Sequence, residues 1–165
     1  MIKTISVLFL VVALVSGRNI NRAGIDMIKS SERFVANFYA DPVGIPTVGY
    51  GHNCNALGCD TIRAPLTQAQ GEALLLKDLA QYQNCVNDQV PFVNDNQFAA
   101  LVSFTFNSGC AALKNSTLLK YVKARDYSAA ANEFGKWVKG GPEGHKQTLK
   151  GLVARRERER QLFVA

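Results

Sequence analysis

The sequence predicts an α+β fold in which a small N-terminal β-hairpin lobe sits against a larger helical lobe. Three observations carry this. A turn-forming Asp41-Pro42-Val43-Gly44 interrupts an extended stretch early in the chain, and helical periodicity with capping signals takes over from Thr67 onward. The 165 residues, 47% of them hydrophobic, suffice for one compact core and not comfortably for two.

The N-terminus is set aside before the elements are read. Lys3 supplies a positive start, and Ile5 to Val15 is an apolar run of 11 residues, against the roughly 20 needed to span a bilayer. Val15-Ser16-Gly17 then offers small residues suited to cleavage. Residues 1–17 therefore read as a signal peptide, with a retained membrane anchor as the alternative, and residues 18–165 as a single unit.

A first helix is expected from about Asn21 to Phe34, with Ile25 and Ile28 on its inner face. An extended region follows from Asn37 to His52, folded back at the Asp-Pro turn that Gly44 closes. After a cysteine-bearing loop, Thr67 opens a long helix, with Gln70 completing a capping box and Leu75, Leu79, Tyr82 and Val86 forming the apolar stripe. Asn94 and Gln97 repeat the device before Phe98, Leu101 and Val102. Further helices are expected over Thr117 to Ala124, Ser128 to Val138 and Leu149 to Phe163, the last two separated at Gly140-Gly141-Pro142.

The net charge of +6, one less without Lys3, suits contact with anionic surfaces such as cell wall, acidic polysaccharide or membrane. Nucleic acid is not expected as a partner. Basic residues are scattered among acidic ones, and the densest group, Arg155 to Arg160, alternates with Glu157 and Glu159 as a solvated helix face would. The four cysteines, Cys54, Cys59, Cys85 and Cys110, all lie after the export segment, so two disulfides are expected, with three pairings possible. Joining Cys54 to Cys59 would close a short local loop and leave Cys85 for Cys110. No metal site is expected, because the chain has no CxxC spacing and only His52 and His145.

Glu32 follows Ile28 by four residues and Ile25 by seven, which places a carboxylate on an apolar helical face. Burial disfavours the charged form of a carboxylate, and a protonated carboxyl at neutral pH is what a general acid requires. Its plain role would be a helix-end group tied to a core arginine. Asp41, nine residues on, would start the turn and remain solvated. Two carboxylates in contrasting surroundings are the arrangement that glycoside hydrolysis uses. His52 reads as a buried histidine holding loop to helix rather than as a base.

The window SERFVANFYADPVGIPTVGYGH resembles the signature of phage-type lysozymes, glycoside hydrolase family 24, with Glu32, Asp41 and Thr47 at the family's spacing. Ala100 to Gly109 looks like the family's central helix, Ser116-Thr117-Leu118-Leu119 like its next helix start, and Gly151 to Arg156 with Glu159 like its closing helix. The resemblance spans nearly all of the chain after the export segment, in order. It implies a lysozyme-like fold with the active-site cleft between the lobes, Glu32 as general acid, Asp41 as the opposing carboxylate and Thr47 as a hydroxyl holding the attacking water. It also implies inversion, which suits carboxyl groups roughly 6.5–9.5 Å apart, and no cofactor.

By the same resemblance Phe106 and Thr117 fall at positions lining the sugar cleft, although a core aromatic and a helix cap are their plain readings. Asn53 stands near a family leucine of the cleft. Arg155 or Arg156 is the candidate partner of Glu32. Four cysteines depart from cytoplasm-derived phage enzymes and look like an exported branch, and Asn115-Ser116-Thr117 is a glycosylation sequon. The implied function is that of a secreted, monomeric muramidase acting on bacterial peptidoglycan. The competing readings are a cationic antimicrobial that acts on membranes without hydrolysis, and a catalytically silent sugar-binding module.

Overall fold

A computed structural model describes residues 17–41, 44–141 and 145–165. The signal-peptide reading, apart from Gly17, lies outside the described residues, as do Pro42, Val43 and Pro142 of the two expected turns. No helix among the described residues is long and apolar enough to cross a membrane.

Helix α1 (Arg22–Glu32) starts where the Asn21 side chain accepts from the Gly24 amide. It buries Ile25 and Ile28 as its periodicity requires. Gly24 lets this helix approach the core closely, since a Cβ there would come within 2.7 Å of Ala99. The helix stops at Glu32 because Arg33 adopts φ 58°, which swings the chain into β1 (Val35–Ala40), two residues earlier than the sequence suggests. Strand β1 pairs antiparallel with β2 (Pro46–Gly49), which pairs with β3 (His52–Asn53), in the order β1-β2-β3. The register sets Thr47 between Tyr39 and Asn53. Facing residues of neighbouring strands project from the same side of a sheet, so these three share a face.

A short helix α2 (Cys54–Leu57) follows, closed by the Cys54–Cys59 disulfide. Helix α3 (Gln68–Gln89) and helix α4 (Asp95–Ser108) both begin with the expected capping boxes, Thr67 with Gln70 and Asn94 with Gln97. Helix α4 is buried along its whole middle, from Gln97 to Thr105, and forms the axis on which α1, α3 and the last helix pack. The second disulfide, Cys85–Cys110, ties α3 to α5 (Cys110–Lys114).

Helix α6 (Thr117–Lys123) is capped by Ser116, whose Oγ accepts from the Leu119 amide, and not by Thr117, its exposed first residue. Asp126 caps α7 (Tyr127–Glu133). The helix expected to run to Val138 tightens into a 3-10 turn at Phe134–Lys136, where Gly135 disfavours further α-helix. The expected break at Gly140 holds a small two-stranded sheet, β4 (Lys139–Gly140) with β5 (Gln147–Thr148). Helix α8 (Lys150–Val164) closes the fold by setting its Phe163 at a tilt against Phe134, whose ring meets Phe104 edge to face beside Trp137.

A larger expectation is also overturned. The Arg155–Arg160 run is not a solvated face: Arg155, Arg156 and Glu159 are 4%, 1% and 0% exposed, and only Glu157 and Arg160 pair on the outside. The cause lies on α4, where buried Ser103 meets Glu159 and Asn107, at the exposed end of the helix, meets Arg156.

Candidate active site

Glu32 is the last residue of α1, and 22% of its side chain remains exposed. Its Oε1 accepts from Nη1 of Arg155, an ion pair that links the first helix to the last. Arg155 is fixed in turn by the Glu159 carboxylate at 3.1 Å and the Ser103 carbonyl at 3.2 Å. Glu159 also accepts from Ser103 Oγ and from Arg156, whose guanidinium lies 4.9 Å above the Phe104 ring and reaches Asn107. Burial pushes the Glu159 carboxyl up against the pull of both arginines, and burial likewise lowers Arg156. The other oxygen of Glu32, Oε2, faces Gly51, where a Cβ would stand 3.7 Å away. Gly51 holds φ 86°, so the residue that keeps this space open also suits its backbone.

Asp41 is half-buried and starts the hairpin turn as expected. Its Oδ1 accepts from the Ile45 amide at 2.8 Å, and its backbone bonds both Ile45 and Gly44. Thr47 is buried on β2, and its Oγ1 donates to the Ile45 carbonyl at 3.0 Å. With that proton engaged, the hydroxyl can only accept from a further partner.

Two cavities meet at Glu32 and Asn107. The first, about 330 Å³, is lined by Gly51, Asn53, Gln81, Tyr82 and Phe106, the last two rings touching edge to face. The second, about 570 Å³, runs between the end of α1 and the start of α8. Of the residues singled out in the sequence, Glu32, Phe106 and Asn53 therefore share a wall, whereas Asp41, Thr47 and Thr117 line neither cavity. Asn53 also caps α2 through its Oδ1, a local task that a leucine could not perform.

Tyr39 escaped the sequence reading. It pairs across from Thr47, and burial, then the charges of Glu32 and Asp41, push its phenol up. One ring thus lies within electrostatic reach of both carboxylates. The available signal was its alternation with Asp41 along an extended segment. His52 is buried between Asp78 on α3 at 2.8 Å and the Gly58 carbonyl at 3.0 Å, to which Nε2 donates, so it braces the disulfide loop against α3. Burial pushes the Asp78 carboxyl up, opposed by His52. Among the described residues no group of three or more His, Cys, Asp or Glu side chains could hold a metal.

Solved structures resemble this fold. The muramidase domain of SpmX from Asticaccaulis excentricus superimposes with a TM-score of 0.80 at 34% identity, covering 90% of this chain and 99% of that one. The fold and site define a lysozyme-type glycoside hydrolase. The phage lysozyme family matches residues 29–159, and the endolysin of Acyrthosiphon pisum secondary endosymbiont phage 1 is 39% identical over 88% of this chain and 97% of its own length. The endolysin of Bacillus phage B103 is 40% identical over 88% of this chain, which spans 54% of that protein. The chain belongs to the phage lysozyme family, in a branch carrying two disulfides.

Proposed function

We propose that residues 18–165, exported by cleavage after residue 17, form a monomeric enzyme that hydrolyses the β-1,4 bond between N-acetylmuramic acid and N-acetylglucosamine in peptidoglycan, with inversion. The observation that carries this is Glu32 at the meeting of two cavities, with Oε1 tied to Arg155 and Oε2 facing open space. In this reading Oε2 delivers the proton to the glycosidic oxygen as its bond to the anomeric carbon breaks. A water donates one hydrogen to Asp41 and one to Thr47 Oγ1, whose own proton is engaged on Ile45. Both hydrogens are then directed at protein, and the lone pair attacks the anomeric carbon from the face opposite the leaving sugar. The water's proton passes to Asp41, which balances the one lost by Glu32. Phe106 and Tyr82 supply an apolar wall for a sugar ring, and Thr117, off this wall, would act only at the far end of a bound chain.

Replacing Glu32 by Gln keeps the shape and removes the proton donor. Clearing of cell-wall suspensions should fall by at least roughly 10²-fold, and mass spectrometry should show the muropeptide products disappear. Undiminished hydrolysis would sink the assignment, and bacterial killing that survives without hydrolysis would favour membrane action. Proton NMR during the first turnover tests inversion, which requires the α-anomer to form first.

A further inference from the structure

The larger cavity beside Glu32 contains more than the proposed chemistry uses. Three guanidinium groups, those of Arg33, Arg155 and Arg158, line it against the single carboxylate of Glu32, together with Ser30, Ser31 and the first turn of α8. Arg155 is already engaged by Glu32 and Glu159. Arg158 is held differently: its Nη1 and Nη2 donate to the hydroxyls of Ser30 and Ser31 at 3.2 and 3.1 Å, while both serines spend their own protons on the Met27 carbonyl. Neutral acceptors orient a guanidinium without cancelling its charge. Its Nε is buried with no acceptor. Arg33 forms no ion pair among the described residues and holds φ 58°, a conformation in which glycine would be the unstrained choice. A long cation is thus kept at a costly position in the lining of a cavity that already carries an uncompensated charge.

We infer that this cavity is an anion-recognising subsite in which Arg33 and Arg158 take a carboxylate of the substrate. This rests on the reading of the protein as a peptidoglycan hydrolase. The carboxylate is that of the lactyl group on muramic acid that carries no peptide, or, where a stem peptide is joined to that group as an amide, that of an acidic residue in the peptide. Arginine suits either, because its planar fork matches a carboxylate with two parallel hydrogen bonds.

The test is calorimetric titration of wild type, Arg33→Gly, Arg158→Gln and Arg158→Lys with three ligands: N-acetylmuramic acid, the muramyl dipeptide ending in D-isoglutamate, and the same dipeptide with its carboxylates amidated. Arg33→Gly and Arg158→Gln should each weaken an acidic ligand by about tenfold, the range of a charged hydrogen bond, and the amidated ligand by less than about twofold. Arg158→Lys should recover part of the loss. Loss with the free sugar acid identifies the lactyl group, and loss confined to the dipeptide identifies the peptide. Because glycine relieves the backbone at position 33, its thermal midpoint should not fall, which separates recognition from folding. Equal losses on acidic and amidated ligands, or none on either, would overturn the inference. Cleavage of whole peptidoglycan by wild type, followed in parallel, tests the hydrolase reading by itself.

Discussion

The two lobes hold their proposed catalytic carboxylates by opposite means. Glu32 is wired to the core, through a buried arginine that is itself fixed by Glu159 and Ser103, over a sequence distance of 123 residues. Asp41 is held by its own turn, through the amide of a residue four positions away. Around it β1 is largely exposed, whereas β2 buries Thr47 and Val48 and β3 buries His52. The acid is therefore positioned by tertiary packing and the opposing carboxylate by local backbone chemistry. Damage to the helical lobe should appear as lost stability, and damage to the hairpin lobe as lost turnover in a protein that still folds.

The sharpest way to break this contrast is Glu159→Ala. It leaves two buried guanidinium groups without their shared carboxylate, and should cost about 3–5 kcal/mol in chemical denaturation. Removing Cys85–Cys110, which closes a 25-residue separation across α3 and α5, should cost about 3–4 kcal/mol, against about 2 kcal/mol for the five-residue Cys54–Cys59 loop. Paired alanine variants compared by denaturation under non-reducing conditions would show the order. In the hairpin lobe, Asp41→Asn should lower turnover by at least about 10²-fold while stability changes by no more than about 1 kcal/mol. A comparable loss of stability would place Asp41 with the structural groups. The smallest effect belongs to Glu72, which bridges α1 and α3 through Lys29 and Arg22. The Lys29 ammonium holds its carboxyl below the usual range. A depressed folded value means the contribution is present above about pH 4.5 and fades as the pH falls through the folded value. Glu72→Gln should therefore lower the thermal midpoint slightly at pH 7 and leave it unchanged near pH 2.

Local chemistry was legible in the sequence, and distant partnership was not. The starts of α3 and α4 could be read because Thr67 with Gln70 and Asn94 with Gln97 settle helix ends within four residues. His52 could be read as a brace because it sits in a glycine-flanked stretch beside a cysteine loop, with a long helix to lean on. The inner face of α8 was opaque. Alternating Arg and Glu look the same whether solvated or packed, and what partners them here is a buried serine and an asparagine some 50 residues earlier on α4. The choice of Arg155 over Arg156 as partner of Glu32 depends on the same packing. Tyr39 was hidden because its meaning comes from the β1–β2 register, which slips between Val35 and Tyr39.

The Glu32–Arg155 pair has a consequence in the order of synthesis. Glu32, the proposed proton donor, emerges from the ribosome 123 residues before Arg155, the group it pairs with. Until α8 has docked, the Glu32 carboxyl lacks this ion pair. In the proposed mechanism α8 would therefore act as a completion signal: the proposed acid gains its Arg155 partner only once that helix has been made and has packed.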